Sequence, residues 1–149
     1  EGLPPVRQMA AGRHHLLMSD GETVWGIGRW MDEAGEESGG APLVRPKELL
    51  RLPSEGVASL HCGPHCSGVV TGEGRLWMWG RLFDEEDASY LLKQRSGYWS
   101  AEGGNAGPGL DAVDWSWPGF GATRPSQVQE LSGVRGLALG GWHALVLVE

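Results

Sequence analysis

Basic residues are scarce in this chain of 149 residues. Lys and Arg together number 12, against 19 Asp and Glu, so the net charge is −7. Proteins that bind duplex nucleic acid need a clustered excess of basic side chains to displace counterions from the phosphates. The charge balance therefore argues against direct nucleic-acid binding. It favours other proteins as partners, in particular proteins with a basic surface.

Cysteine is also scarce, since Cys62 and Cys66 are the only two cysteines in the sequence. Disulfide scaffolds need more cysteines than this, and free thiols are typical of proteins in a reducing intracellular compartment. Long hydrophobic runs are also missing, because no stretch of about 18 apolar residues occurs and no basic segment precedes an apolar one. The sequence therefore predicts neither a membrane span nor a secretory signal, and it favours an intracellular location.

Internal repetition is the most prominent positive feature. A frame that begins with valine and reaches a glycine occurs three times, and a histidine or cysteine follows each glycine after two intervening residues. The valines are Val6, Val57 and Val134, the glycines are Gly12, Gly63 and Gly140, and the residues that follow are His15, Cys66 and His143. Such self-similarity is typical of solenoids, propellers and other arrays of stacked units.

The spacing of the frame divides residues 1–149, taken as one partial domain, into repeat units. The first unit covers 6–56, the second covers 57–133, and 134–149 form the start of a third. The starts are 57 − 6 = 51 and 134 − 57 = 77 residues apart, so the second unit carries an insertion. We place that insertion within 87–121.

Each unit has the pattern of short β-strands, because its apolar runs are brief, rich in Val, Leu and Trp, and bounded by Gly, Asp, Ser and Pro. In the first unit, 14–18 and 23–27 flank an Asp-Gly turn. In the second unit, 67–70 and 75–79 flank the corresponding turn. Three or four strands in about fifty residues fit one blade of a β-propeller.

The order of these elements resembles the repeat of the regulator of chromosome condensation family. In that repeat GxxH is followed by an apolar strand, a DG or EG turn, LWxWG and a proline-led segment, and 140–145 and 74–80 are the most similar stretches here. The resemblance covers nearly the whole chain apart from the insertion. It implies an all-β fold, a partial β-propeller with about seven such blades in the complete protein. The chain departs from the pattern at Cys66, where histidine is expected.

The length of the chain is short for such a propeller. Seven blades at the spacing seen between the first two units would need roughly 360 residues. We therefore expect a fragment of a larger polypeptide, or one part of a propeller that is completed by the remainder of its own chain or by other chains.

Two features outside the repeat frame are candidate partner-binding sites. The insertion contains Trp99, Trp115 and Trp117, which either fold back on their own blade or form hot-spot contacts with a partner. Acidic pairs occupy the same position in both full units, and side by side they form either a solvated rim or a surface that steers a basic partner. The acidic residues are Asp32, Glu33, Asp84 and Glu85.

No metal, cofactor or catalytic group is predicted. The cluster HCxxHC contains Cys62 and Cys66, but zinc needs about four ligands, and the repeat alignment gives Cys66 the same packing position as His15 and His143. The histidines recur with the repeat and have no nucleophile or orienting carboxylate beside them in sequence. We therefore interpret the repeated glycines, histidines and Cys66 as structural positions.

The resulting functional hypothesis is a non-catalytic β-propeller module for protein interaction or scaffolding, within a larger assembly. The family resemblance also permits an alternative, nucleotide exchange on a small GTPase of the Ran type, which needs a projecting wedge loop. A propeller attached to a ubiquitin ligase or another enzyme domain outside this chain is a third alternative. Fold alone does not decide between them.

Overall fold

The computed structural model of the chain describes residues 5–28, 43–80, 124–140 and 143–149. These ranges contain β-strands and no helix. The strands are β1 (Gln8–Ala11), β2 (His15–Ser19), β3 (Thr23–Gly28), β4 (Leu43–Arg51), β5 (Val57–Cys62), β6 (Cys66–Thr71), β7 (Leu76–Gly80), β8 (Ser126–Gln127), β9 (Val134–Leu139) and β10 (Ala144–Val148).

The described strands form three antiparallel sheets in which consecutive strands are neighbours. The first sheet has the order β1-β2-β3-β4, the second has the order β5-β6-β7-β8, and β9 pairs with β10 in the third. The first strand of each sheet contacts the first strand of the next one. Four-stranded meanders that stack in this way are blades of a propeller. The predicted all-β fold, a partial β-propeller, is confirmed.

The predicted hairpins are present, with bounds that differ by at most one residue from the sequence pattern. In the first hairpin His15 pairs with Gly28 and Ser19 pairs with Val24. The Asp20 carboxylate accepts hydrogen bonds from the backbone N–H of Glu22 and Thr23, at 2.9 and 2.8 Å. These bonds lower the pKa of Asp20 because they stabilise its charged form. The local turn chemistry thus fixes the register of the hairpin.

Glycine is required where β3 and β7 end. Gly28 has a φ of 113° and Gly80 a φ of 94°, which L side chains rarely adopt. A Cβ at Gly28 would also collide with the carbonyl oxygen of His14, and a Cβ at Gly80 would collide with that of His65. The two sites have the same geometry in neighbouring blades, so the repeat extends to the backbone.

Backbone hydrogen bonds join one blade to the next in a repeated way. The N–H of Val57 donates to the carbonyl oxygen of Gly21 at 2.7 Å, and the N–H of Val134 donates to that of Gly74 at 2.9 Å. In both cases the valine that begins a unit binds the hairpin turn of the unit before it. The valine that begins the second and the third unit therefore lies at a contact between blades.

Two apolar clusters fill the spaces between neighbouring sheets. Val69 and Val70 are adjacent in β6 but belong to different clusters, because successive side chains of a strand face opposite sides of the sheet. The first cluster holds Leu17, Val24, Leu52, Val57, Val69 and Trp79. The second holds Val70, Leu76, Met78, Val128, Val134 and Leu137. Burial of apolar surface between blades is the main force that stabilises the stack.

Candidate functional site

His15 is positioned by the turn between β1 and β2. The N–H of Gly12 donates to the carbonyl oxygen of His15 at 2.9 Å, and the imidazole lies where a Cβ of Gly12 would be. The side chain is directed toward the second blade, and only 9% of its surface is exposed. The repeated glycine therefore makes room for the repeated histidine.

The buried imidazole forms a hydrogen bond between blades. His15 Nε2 lies 3.0 Å from Oγ of Ser67, whose exposed fraction is 1%. Burial lowers the pKa of His15, and the nearby His65 and His14 lower it further, whereas a hydrogen bond with the backbone of Cys66 opposes the change. The lowered pKa keeps the imidazole neutral at pH 7, so it holds the interface without a charge.

A serine hydroxyl beside a histidine is also the arrangement of nucleophilic catalysis. In this structure the pair is sealed between two sheets, and a substrate cannot reach the hydroxyl of Ser67. Burial is the largest influence on the pKa of His15, and the others come from the backbone of Cys66 and from the imidazoles of His65 and His14. The geometry of His15 and Ser67 therefore favours a structural role.

Replacing Ser67 by alanine should lower the free energy of unfolding by about 1–2 kcal/mol, because the hydrogen bond between its hydroxyl and the buried imidazole is lost. Adding His15→Cys to Ser67→Ala should recover part of this loss, since the second blade already buries Cys66 without a facing serine. Denaturant unfolding of the single and double variants measures the coupling.

The control for this prediction is Ser59→Ala. Its hydroxyl lies 2.8 Å from Nε2 of His61, but both side chains are only half-buried, so water can replace the bond. We expect a loss within about 0.5 kcal/mol. Equal losses at Ser67 and Ser59 would contradict a special role for the interface pair.

Acidification from pH 7 to pH 5 should destabilise the fold. Burial lowers the pKa of His15 and also that of His61. The unfolded chain therefore takes up protons near pH 6.5 at these positions before the folded chain does, so stability is full above about pH 6.5 and falls as the pH decreases through the window down to the folded pKa. Each histidine contributes at most about 1.4 kcal/mol per pH unit.

Urea unfolding at several pH values tests this dependence. The variant His15→Cys should show a shallower loss of stability than the unsubstituted chain between pH 7 and pH 5. Parallel curves for the two proteins would show that His15 does not take part in the linkage.

Cys66 is a buried thiol and Cys62 is a half-buried one. Cys62 Sγ lies 3.4 Å from the carbonyl oxygen of Ala10 in the first blade, and Cys66 is 2% exposed. Burial raises the pKa of Cys62 to about 12 and that of Cys66 to about 11. A metal binds the thiolate, which this environment disfavours. Among the described residues, no group of three or more His, Cys, Asp or Glu is arranged to hold a metal ion.

The third repeat shows the same local geometry in a different environment. The N–H of Gly140 donates to the carbonyl oxygen of His143 at 2.8 Å, and the imidazole again lies over the glycine. Whereas His15 and Cys66 are buried, His143 is exposed, because no described strand covers that side of β10. The geometry of the turn at the repeated glycine is therefore set by the local sequence, whereas the burial of the residue above that glycine depends on the neighbouring blade.

Apolar side chains are exposed at both ends of the stack. Leu145 and Leu147 of β10 are 65% and 66% exposed, and with His143 they form what we call the C-terminal face. At the other end Met9 is 68% and Val6 is 38% exposed, and these form the N-terminal face. In the second and third units the residues equivalent to Val6 are buried against the preceding blade.

The acidic residues Asp32, Glu33, Asp84 and Glu85 lie outside the described residues, as do the tryptophans Trp99, Trp115 and Trp117. Both sets stay predictions. In the described ranges, no helix is long and apolar enough to cross a membrane.

Sequence reasoning missed Ser67. The residue follows Cys66 directly and corresponds to Leu16 in the first unit and Ala144 in the third, so the repeat alignment gives no constant residue there. The available signal was that the second unit has a serine hydroxyl at a position where the other two units have the apolar residues Leu16 and Ala144. Only the stacking of the second blade on the first shows that this hydroxyl meets His15.

The comparisons with known proteins agree with the fold. No family model matches the chain. It is 31% identical over 132 residues to the mitochondrial RCC1 domain-containing protein RUG3 of Arabidopsis thaliana, which covers 87% of this chain and 22% of the relative. It is 28% identical over 78 residues to the RCC2 homologue of Danio rerio, which covers 50% of this chain and 16% of the relative. The chain thus spans about a fifth of the length of these curated relatives.

Solved structures show the same arrangement of blades. Yeast RCC1 (Prp20) bound to Kap60 matches 99% of this chain with a TM-score of 0.60 and 17% identity, over 31% of its own length. Prp20p from Saccharomyces cerevisiae matches 99% of this chain with a TM-score of 0.61 and 18% identity, over 32% of its own length. Human WBSCR16 matches 96% of this chain with a TM-score of 0.55 and 23% identity, over 30% of its own length. The ordered repeat, the stacked sheets and these relatives agree, and the chain belongs to the family of RCC1-type β-propeller repeat proteins.

Proposed function

We propose that the chain is part of a β-propeller that acts as a non-catalytic module for protein interaction within a larger intracellular assembly. One observation carries this proposal: in the described part of the chain, the imidazole and the hydroxyl that are paired as a base and a nucleophile would be are buried between blades and hold them together. His15 and Ser67 bind each other between sheets, and the pKa values of the half-buried Cys62 and the buried Cys66 are raised well above 7. What the described surface offers is apolar area at the two end faces.

The structural relatives support protein binding as the class of function. One of them was solved in complex with Kap60, and another was described together with its binding to Gsp1p and histones. The net charge of −7 supports a partner with a basic surface, because opposite charge speeds encounter and suppresses wrong partners. The free thiols, and the mitochondrial name of one curated relative, support an intracellular location.

Affinity purification of the tagged protein, followed by mass spectrometry of the bound proteins, tests the proposal. The purification is run in parallel with and without added GTP or GDP. A stoichiometric assembly that does not respond to nucleotide is the expected result. Preferential recovery of a small GTPase in the absence of nucleotide would overturn the scaffold proposal in favour of nucleotide exchange, the alternative that the family resemblance permits.

Charge reversal at Asp84 and Glu85 tests the predicted acidic surface. The double variant Asp84→Lys, Glu85→Lys should slow association with a basic partner by about tenfold at low salt and flatten its salt dependence, because electrostatic steering is lost. The control reverses Glu48 and Glu130, which are exposed elsewhere on the described surface. Association kinetics that are the same for both variants would show that the acidic pairs form only a solvated rim.

A further inference from the structure

Three of the five histidines of the chain meet where the first blade packs on the second, which we call the first interface. His15 is sealed there against Ser67, with only 9% of its surface exposed. His14 of the first blade and His65 of the second hold equivalent places in their units, and their ring centroids lie 6.3 Å apart. The first interface therefore combines one buried imidazole with two more accessible ones.

The other groups around His15 keep one charge state between pH 7 and pH 5. On its own turn the neighbours are the permanently charged Arg13 and the imidazole of His14. The strands β1 and β3 beside it carry no ionisable side chain. From the second blade come the imidazole of His65 and the thiol of Cys62, and burial raises the pKa of this thiol to about 12. Among these described groups, only the imidazoles gain charge in this range.

The contact between the second and third blades, the second interface, has a different residue at the repeated position. Cys66 lies there over Gly63, on the side of Leu139, and burial raises the pKa of its thiol to about 11. The thiol thus stays uncharged at every pH from 5 to 7. His61 is on the opposite side of β5 from Cys62, but it is half-buried and bound to a serine of its own strand. Acid therefore adds less buried charge at the second interface than at the first.

We propose that mild acid opens the first interface selectively, so that the first blade separates from the second while the second and third blades stay packed. In the closed state a charged His15 is cut off from water and faces two further imidazoles, whereas in the open state water solvates all three. The open state therefore takes up protons below about pH 6.5, by at most about a tenfold change in its population per pH unit and histidine. This opening exposes the apolar surface between the two blades, including Leu17.

The two cysteines are separate reporters of the two interfaces. Cys62 Sγ lies 3.4 Å from the carbonyl oxygen of Ala10 in the first blade, so separation of that blade uncovers it. Cys66 is 2% exposed and lies on the other side of the second blade, so it stays covered as long as the third blade is in place. Selective opening and general unfolding therefore give different labelling patterns.

Alkylation of the full-length protein by N-ethylmaleimide at pH 7, 6 and 5 tests the proposal. Each thiol is located by fragmentation of its peptide in a mass spectrometer, and its rate is divided by that of the urea-unfolded protein at the same pH, which removes the effect of thiolate concentration. We expect the corrected rate at Cys62 to rise about tenfold from pH 7 to pH 5 and that at Cys66 to change less than about twofold. Equal increases at both thiols, or a constant rate at Cys62, would overturn the proposal.

Glutamine variants assign the effect to the histidines of the first interface. His15→Gln retains a polar group for Ser67 but cannot titrate, so it should abolish most of the rise at Cys62. The exposed His14→Gln, which leaves the buried contact intact, should reduce the rise, and His61→Gln should leave it unchanged. A full rise in both His14→Gln and His15→Gln, or a loss confined to His61→Gln, would contradict the proposal. Partner capture at pH 7 does not depend on this opening, so the interaction function and the acid response fail separately.

Discussion

Replacing Gly80 by alanine is expected to lower the free energy of unfolding by about 3 kcal/mol. The φ of 94° at this position costs an L residue about 1–2 kcal/mol. The new Cβ would in addition collide with the carbonyl oxygen of His65, a backbone atom that cannot move without displacing the hairpin of β6 and β7. Urea unfolding followed by tryptophan fluorescence measures the loss, because Trp77 and Trp79 lie in the affected blade.

The matched control is Gly136→Ala in β9. Gly136 has no positive φ, and a Cβ there would lie 3.7 Å from Cβ of Leu147, an ordinary contact. Alanine at such a position restricts the unfolded chain, so we expect no loss and a gain of up to about 1 kcal/mol. Similar effects at Gly80 and Gly136 would contradict the assignment of Gly80 as a position that only glycine can occupy.

Truncation of Leu17 to alanine is the second prediction with a large effect. Leu17 is completely buried in the cluster between the first two blades, and removal of its side chain leaves a cavity there. Substitutions of this type cost about 3–5 kcal/mol, the exact loss depending on how far the surroundings relax. The equivalent substitution Leu145→Ala should cost within about 0.5 kcal/mol in the isolated chain, since Leu145 is mostly exposed.

The pair of variants isolates the effect of the neighbouring blade. Both residues are leucines at the same position of the repeat, and each lies two places after the repeated histidine, His15 or His143. Equal losses of unfolding free energy for Leu17→Ala and Leu145→Ala would mean that the stack of blades does not determine the stability of these positions.

The strands and their repetition could be predicted because their signals are local. The turn at Asp20 and Gly21 is specified by a carboxylate that binds the backbone two and three residues later. The valine frame was visible as a period, and its cause is the burial of Val57 and Val134 in the clusters between blades. The fold class and the family followed from the order of such short motifs along the chain.

The chemistry of the interface could not be predicted in the same way. His15 was recognised as a structural position, but its partner Ser67 is 52 residues away and has no constant counterpart in the other units. A hydrogen bond between two blades depends on how they stack, and the residues that meet need no common motif. The tryptophans at Trp99, Trp115 and Trp117 and the acidic pairs belong to the same class of problem, because their role depends on what covers them.

The sequence by itself determined the repeat and the hairpins, because turn geometry and strand alternation act over a few residues. The tertiary structure alone decided which of three equivalent residues are buried. His15 is covered by a second blade that supplies a hydroxyl, Cys66 is buried beside Gly63 where the third blade approaches, and His143 is exposed. Burial is a property of the neighbouring surface, and for this reason identical motifs have different environments along one chain.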